Sequence, residues 1–354
     1  MDQGKLEFLE RFLSTPSPAG FEAEAAHLWR AEAEGFAERV WGDLHGNAFA
    51  VLNEGAEPRV MLAGHMDEIG LMITHIDDQG FLYFRGIGGW DPQVLPGQRV
   101  RIKGKKGPVL GAIGRKPVHL LEEEERKKVV KLEDLWIDIG AKSREEAEKL
   151  VSIGDPAVLD YGPERLSDEL LLARGIDDRI GAAVVLWALR LLGDLAPKAS
   201  VYAVATVQEE VGLRGAHTAA FGLDPKVGIA VDVTHASDSP GMEGEKRRVG
   251  EIKLGKGPVL ARGANVNPRL LGLLVETAER EKIPYQLEGA PGGTGTDANA
   301  IQLTRAGVAT ALVSIPNRYM HSPCELVALS DLEQAARLIA HAVARIDEEV
   351  DLIP

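Results

Sequence analysis

The stretch Arg59-Val-Met-Leu-Ala63, closed by Gly64 and His65, decides how this chain reads. A short, largely apolar run ended by glycine describes a strand buried on both faces, which in a soluble protein means an α/β sheet covered by helices. The run 47–53 has the same character. Toward the amino end, Leu6, Phe8, Leu9, Phe12 and Leu13 recur at helical spacing, and 21–34 is rich in Ala and Glu. Two amphipathic helices are therefore expected on either side of the turn Thr15-Pro-Ser-Pro-Ala-Gly20.

Beyond His65 the texture changes. From Gly70 to Leu159, alternating segments at 71–76, 81–86, 99–103 and 109–114 are broken at close intervals by Gly and Pro, as in a small β-rich insert. Within it, the charge run 122–131 reads as a solvated face, and 143–150 opens with the Ser-x-Glu-Glu start of a capped helix. The first texture returns at Leu170. Strand-like runs at 170–173, 200–206, 227–233 and 308–314 alternate with helical patterns at 179–192, 268–282, 297–305 and 329–350. The fold class is thus α/β, an open, mostly parallel sheet flanked by helices and interrupted by a small β-rich domain. The division expected is 1–69 and 163–354 for the large domain and 70–162 for the insert.

Composition bounds the function. A chain of 354 residues suits one large domain plus a smaller one, and 45% hydrophobic with 27% charged residues is ordinary globular usage, which excludes disorder, collagen-like repeats and coiled coil. A formal net charge of -14 repels a phosphate backbone and an anionic bilayer, so neither nucleic acid nor membrane is expected as partner. The longest near-continuous apolar run, 180–189, is about half of what a membrane span needs. The single cysteine, Cys324, excludes an internal disulfide and any Cys-rich zinc site, and the acidic segment 1–13 does not read as a signal peptide; a cytoplasmic location is expected.

One placement carries the chemistry. His65, Asp177, Glu209, Glu210 and Asp232 each lie at or just beyond the end of an apolar run, and His321 follows the run ending at 314. Ligands of open α/β sheets bind outside the carboxyl ends of the strands, so these residues should converge on one rim. Two imidazoles and several carboxylates without thiols suit zinc, cobalt or manganese, and they suffice for two ions if one carboxylate bridges. Blander roles exist for each residue alone. A histidine after a strand is usually structural, and Asp177-Asp178 ahead of a helix suits an N-cap. Glu209-Glu210 is harder to dismiss, because adjacent carboxylates at a strand mouth repel unless cations stand nearby. Their joint order outweighs the separate alternatives.

The segments Ala63-Gly-His-Met-Asp-Glu68, Gly175-Ile-Asp-Asp-Arg-Ile-Gly181, Val207-Gln-Glu-Glu-Val-Gly212, Val231-Asp-Val-Thr234, Gly293-Thr-Gly-Thr-Asp297 and Met320-His-Ser-Pro-Cys-Glu325 resemble the M42 family of metallo-aminopeptidases, the TET peptidases. The likeness runs nearly the full length, and 113–120 and 132–141 resemble that family's dimerisation domain. It implies a zinc-peptidase-like fold and release of N-terminal residues from peptides. It also implies one ion on Asp177, Glu210 and His321 and a second on His65, Asp177 and Asp232, with Asp177 bridging. By the same resemblance Glu209 is the general base acting on a water between the ions, Asp67 fixes the His65 tautomer, and a cis peptide joins Asp177 to Asp178. Zinc is the metal expected first, with cobalt or manganese as alternatives. Self-association to a dimer or a tetrahedral dodecamer is implied, and the preferred first residue of the peptide is left open.

Three decoys are set aside. Gly250-Glu-Ile-Lys-Leu-Gly-Lys-Gly257 ends in Gly where a phosphate loop needs Ser or Thr, and is expected as a strand and turn. Gly293-Thr-Gly-Thr-Asp-Ala298 has the spacing of a dinucleotide loop without the later acidic residue, and reads better as a substrate-facing loop. Cys324 lies near His321, but that imidazole is better used on metal. His75, His119, His217 and His235 are left without a role. Two rival readings stand beside the peptidase: an endoglucanase-like glycoside hydrolase using paired carboxylates, and a scaffold whose site has decayed.

Overall fold

The computed structural model describes residues 1–354. The chain opens with α1 (Gln3–Ser14), capped by the Asp2 carboxylate on the Lys5 N–H, and α2 (Ala23–Ala33). The strands β1 (Arg39–Gly42), β2 (Ala48–Leu52) and β3 (Arg59–His65) follow. The chain then leaves the main body to build a closed antiparallel barrel from β4 (Gly70–Ile76), β5 (Leu82–Ile87), β6 (Arg99–Gly104), β7 (Gly107–Gly114), β8 (Trp136–Asp138) and β9 (Pro156–Leu159). The exposed turn α3 (Glu123–Arg126) and the Ser143-capped α4 (Arg144–Glu148) lie in its loops. A core of 15 buried residues, among them Leu71, Ile73, Val100 and Ile137, fills the barrel and is separate from the 72-residue core of the main body.

The return path is β10 (Glu164–Arg165), β11 (Leu170–Ala173), α5 (Ile176–Leu195), β12 (Ser200–Thr206), α6 (Arg214–Leu223) and β13 (Val227–His235). It continues through α7 (Lys246–Val249), β14 (Val259–Gly263), α8 (Pro268–Arg280), β15 (Gln286–Ala290) and α9 (Asp297–Gln302), and ends in β16 (Ala309–Asn317), β17 (Glu325–Ala328) and α10 (Leu329–Val343). The main sheet has eight strands in the order β1-β2-β12-β3-β13-β16-β14-β15. Its central strands β12, β3, β13 and β16 are mutually parallel, and antiparallel pairs occur only toward the edges. That arrangement brings the carboxyl ends of all four central strands to one rim.

Helix α5 is buried on nearly every side from Ile176 to Leu189, as expected of a helix apolar all round and packed between a sheet and other helices. It meets α1 and α10 and crosses β3, β12 and β13, while α6 and α9 cover the opposite face. Trp29 of α2 is fully buried and donates its indole N–H to the Ala182 carbonyl at 2.8 Å. Gly64 permits the contact behind His65, and the missing side chain of Gly181 leaves room for the Asp178 carboxylate. A Cβ on Gly64 would come within 2.5 Å of the Ala182 nitrogen, so only glycine lets α5 approach this strand so closely.

Two expectations need correction. Leu170–Ala173 is not part of the parallel sheet but pairs antiparallel with β10 and β17 in a separate three-stranded sheet. Its apolar run is satisfied by either partner, and the run alone does not choose. The segment 250–257 is not a strand. Ile252 pairs with the Ser237 backbone and hydroxyl, and the N–H groups of Gly255 and Gly257 donate to the Asp331 carboxylate at 2.7 and 2.8 Å. A carboxylate thus occupies the place a phosphate would need.

Candidate metal centre

The six residues expected at the rim meet there. His65 ends β3, Glu209 and Glu210 follow β12, Asp232 lies on β13, and His321 follows β16. Asp177 arrives from the three-stranded sheet at the irregular start of α5, joined to Asp178 by a cis peptide. The Asp177 carboxylate stands between the imidazoles, with Oδ1 3.2 Å from His65 Nε2 and Oδ2 3.2 Å from His321 Nε2. Glu210 Oε1 is 3.3 Å from His321 Nε2, and Glu209 Oε2 is 3.7 Å from His65 Nε2. Candidate ligand atoms of His65, Glu209 and Asp232 form one group within 4.8 Å, and those of Asp177, Glu210 and His321 form a second.

The electrostatics ask for positive charge. His65 Nδ1 lies 3.1 Å from the Asp67 carbonyl oxygen, an acceptor only, so Nδ1 carries the proton. Its Nε2 lone pair then faces the carboxylates of Asp177 and Glu209, which is repulsive without a cation between them. In the ion-free site the imidazole is accordingly held well above its usual pKa, the attraction of Glu209, Asp177 and Asp67 outweighing burial. His321 is likewise raised, by Asp177 and Glu210. Burial first, then mutual repulsion, pushes Glu209, Glu210 and Asp232 upward, whereas Asp177 between the two imidazoles is lowered. Glu210 Oε1 is buried without a properly aligned donor. A borderline N/O donor set with an unmatched buried oxygen fits two divalent ions.

A second layer of acids holds the backbone. Asp178 Oδ2 accepts the His65 N–H at 3.2 Å. Asp67, expected on the imidazole, lies 3.5 Å from Nδ1 through its carboxylate and instead accepts the Glu209 and Glu210 N–H groups at 3.0 and 3.1 Å. Glu325, 2% exposed, accepts the N–H groups of Asp177 and His321 at 3.1 and 2.9 Å. Neither Asp178 nor Glu325 was expected to act at the site. Both stand inside the quoted motifs, which was the available signal, but their decisive partners, the His65 and Asp177 N–H groups, lie 113 and 148 residues away. Asp297 is also buried here, with Oδ2 accepting the Thr206 hydroxyl at 2.6 Å. The barrel supplies a wall: a Cβ on Gly88 would lie 3.2 Å from Glu210 Oε2. Cys324 is a free, half-buried thiol that burial pushes up, the opposite of an activated nucleophile.

The sequence profile of the M42 glutamyl aminopeptidases matches residues 46–338. This chain belongs to the M42 family. It is 40% identical over 343 residues to the lysyl aminopeptidase of Pyrococcus furiosus, covering 94% of each chain. The structure of a TET aminopeptidase from Thaumarchaeota archaeon SCGC AB-539-E09 superposes with a TM-score of 0.93 at 38% identity, covering 98% of each. The TET1 peptidase of Pyrococcus horikoshii, described as assembling into a tetrahedron or a large octahedral shell, superposes at 0.86 with 36% identity, covering 97% of this chain and 100% of that one. The M42 chain is an aminopeptidase, a peptide hydrolase, and its α/β sheet with a separate small barrel is the architecture of the TET enzymes.

Proposed function

We propose that this M42 aminopeptidase works with two divalent ions, one held by Asp177, Glu210 and His321 and the other by His65, Asp177 and Asp232. The observation that carries the reading is the Asp177 carboxylate, which offers one oxygen toward each imidazole at 3.2 Å. When bound, the ions supply Lewis acidity that activates a water for attack and polarises the scissile carbonyl. Glu209 is the general base. Its carboxylate takes the proton of the attacking water and delivers it to the leaving amine, a role its position beside His65, with Oε2 3.7 Å from Nε2, supports. Asp67 holds the peptide groups of Glu209 and Glu210, so that one side chain ligates while its neighbour faces substrate. Zinc is the first choice of metal, cobalt or manganese the alternatives.

The segments 1–69 and 163–354 form the catalytic domain in this reading, and 70–162 is the dimerisation domain. The barrel's loops expose Val118, Leu120 and Val129 at 55%, 66% and 62%, large apolar side chains suited to burial against a second copy. A dimer or tetrahedral dodecamer built through that face, and a cytoplasmic location, belong to the same proposal. The glycosidase and decayed-scaffold alternatives are less well supported: the acids lie against imidazoles rather than facing each other across an open cleft, and candidate ligand atoms gather in two groups.

Substitution and metal analysis test the reading. Glu209→Gln should retain the fold and about two ions per chain while kcat on aminoacyl p-nitroanilides falls roughly 10²–10⁴-fold. Wild-type turnover in that variant rejects the base.

A further inference from the structure

The turn Thr15-Pro-Ser-Pro-Ala-Gly20 lies before the part of the chain matched by the family profile, yet it is fastened to the site. Ser17 Oγ donates to the Met66 carbonyl at 2.8 Å and its N–H to Glu68 Oε1 at 2.9 Å. The Ala19 N–H donates to the Glu68 carbonyl and the Glu68 N–H to the Ser17 carbonyl, so the turn runs strand-like beside 66–68. Two residues beyond the turn, Glu22 occupies the N-cap of α2 but makes no capping hydrogen bond there. Glutamate is not a preferred N-cap, and the carboxylate is spent elsewhere. It is 6% exposed, and Oε1 accepts the Gly20 N–H at 2.7 Å and, 186 residues on, the Gln208 N–H at 3.1 Å.

Gln208 has φ of +56°, a left-handed conformation costly for a residue with a side chain. Directly after it, the Glu209 and Glu210 N–H groups are held by Asp67. Three successive peptide N–H groups are thus gripped by two buried carboxylates, and the first of them, at the left-handed residue, belongs to Glu22 alone. Without that acceptor the 207–208 peptide loses its N–H partner, and the left-handed Gln208 is restrained only from its far side, where its carbonyl accepts the Arg214 N–H at 3.3 Å, so the turn can relax and carry the Glu209 carboxylate with it. We infer that Glu22 is a positioning residue for the reaction, locking the Gln208 peptide so that Glu209 is aimed at the attacking water. This rests on Glu209 being the base.

The test uses the metal-loaded enzyme in its native assembly, with aminoacyl p-nitroanilides as substrates. Glu22→Ala should lower kcat roughly 10–100-fold with KM changed by no more than about twofold, the scale expected for a misplaced catalytic group. The ion content should hold, and amide exchange should quicken in a peptide spanning 206–213. Glu22→Gln, whose amide oxygen still accepts the N–H, should recover kcat at least about fivefold above the alanine variant, which a merely space-filling role does not predict. Wild-type kcat in Glu22→Ala, loss of ions in step with activity, or a glutamine variant no better than alanine each overturns the inference. Glu209→Gln is measured alongside. If it is inactive while Glu22→Ala is fully active, only the positioning role fails; if it keeps turnover, the base and the positioning role fail together.

Discussion

Glu68 is 2% exposed and faces two guanidiniums, Arg174 and Arg179, the second with no exposure at all. Burial alone would raise its carboxyl, but the two arginines outweigh burial and hold it below the usual glutamate value. A lowered folded pKa means that the unfolded chain binds this proton more readily. The stabilisation is therefore complete above the unfolded value of about 4.5 and is lost as pH falls through that value and then the folded one. Glu68→Gln should cost about 3–5 kcal/mol by stranding buried positive charge, and should flatten the acid limb of stability against pH, both read from denaturant midpoints between pH 3 and 7. At this scale the sequence was legible for the cluster of candidate ligands, because His65, Asp177, Glu210, Asp232 and His321 are chemically suited to metal and stand beside strand ends. Asp178, Glu325 and Glu22 were not, because each acts on backbone N–H groups that no residue type advertises.

The crossing of α5 over β3 depends on Gly64, immediately before His65, whose missing Cβ leaves room for the backbone of Gly181 and Ala182. Gly64→Ala should force strand and helix apart, costing about 1–3 kcal/mol or more and lowering ion occupancy, as checked by thermal melts and metal content together. The central strands could be read from composition because they are buried on both faces and nearly all apolar. Edge elements could not. The pattern of Gln286–Ala290 is half exposed with Leu287 pointing outward, and β17 is only Glu325–Ala328, so neither offers a periodic signal of useful length. Leu170–Ala173 was recognisable as a strand but not assignable to a sheet, since the choice was made by its pairing with β17 near the far end of the chain.

For the molecule as a whole, treatment with a chelator should abolish peptidase activity and return of zinc, cobalt or manganese should restore it, with about two ions per chain at saturation. Light scattering should give a mass near two or twelve times the 38.1 kDa chain. Val118→Asp combined with Leu120→Asp should shift it downward, as charges on the barrel's apolar loop oppose burial of that face. The barrel also separates the five proposed ligands in time. His65 precedes it and the remaining four follow it, the last at position 321 of 354. During synthesis at roughly 5–20 residues per second, about 13–50 seconds pass between the emergence of the first and last of these residues. On the proposed reading a chain still short of position 321 lacks one of its metal-holding side chains, so no complete centre exists until β16, the last strand of the main sheet to be made, is already in hand.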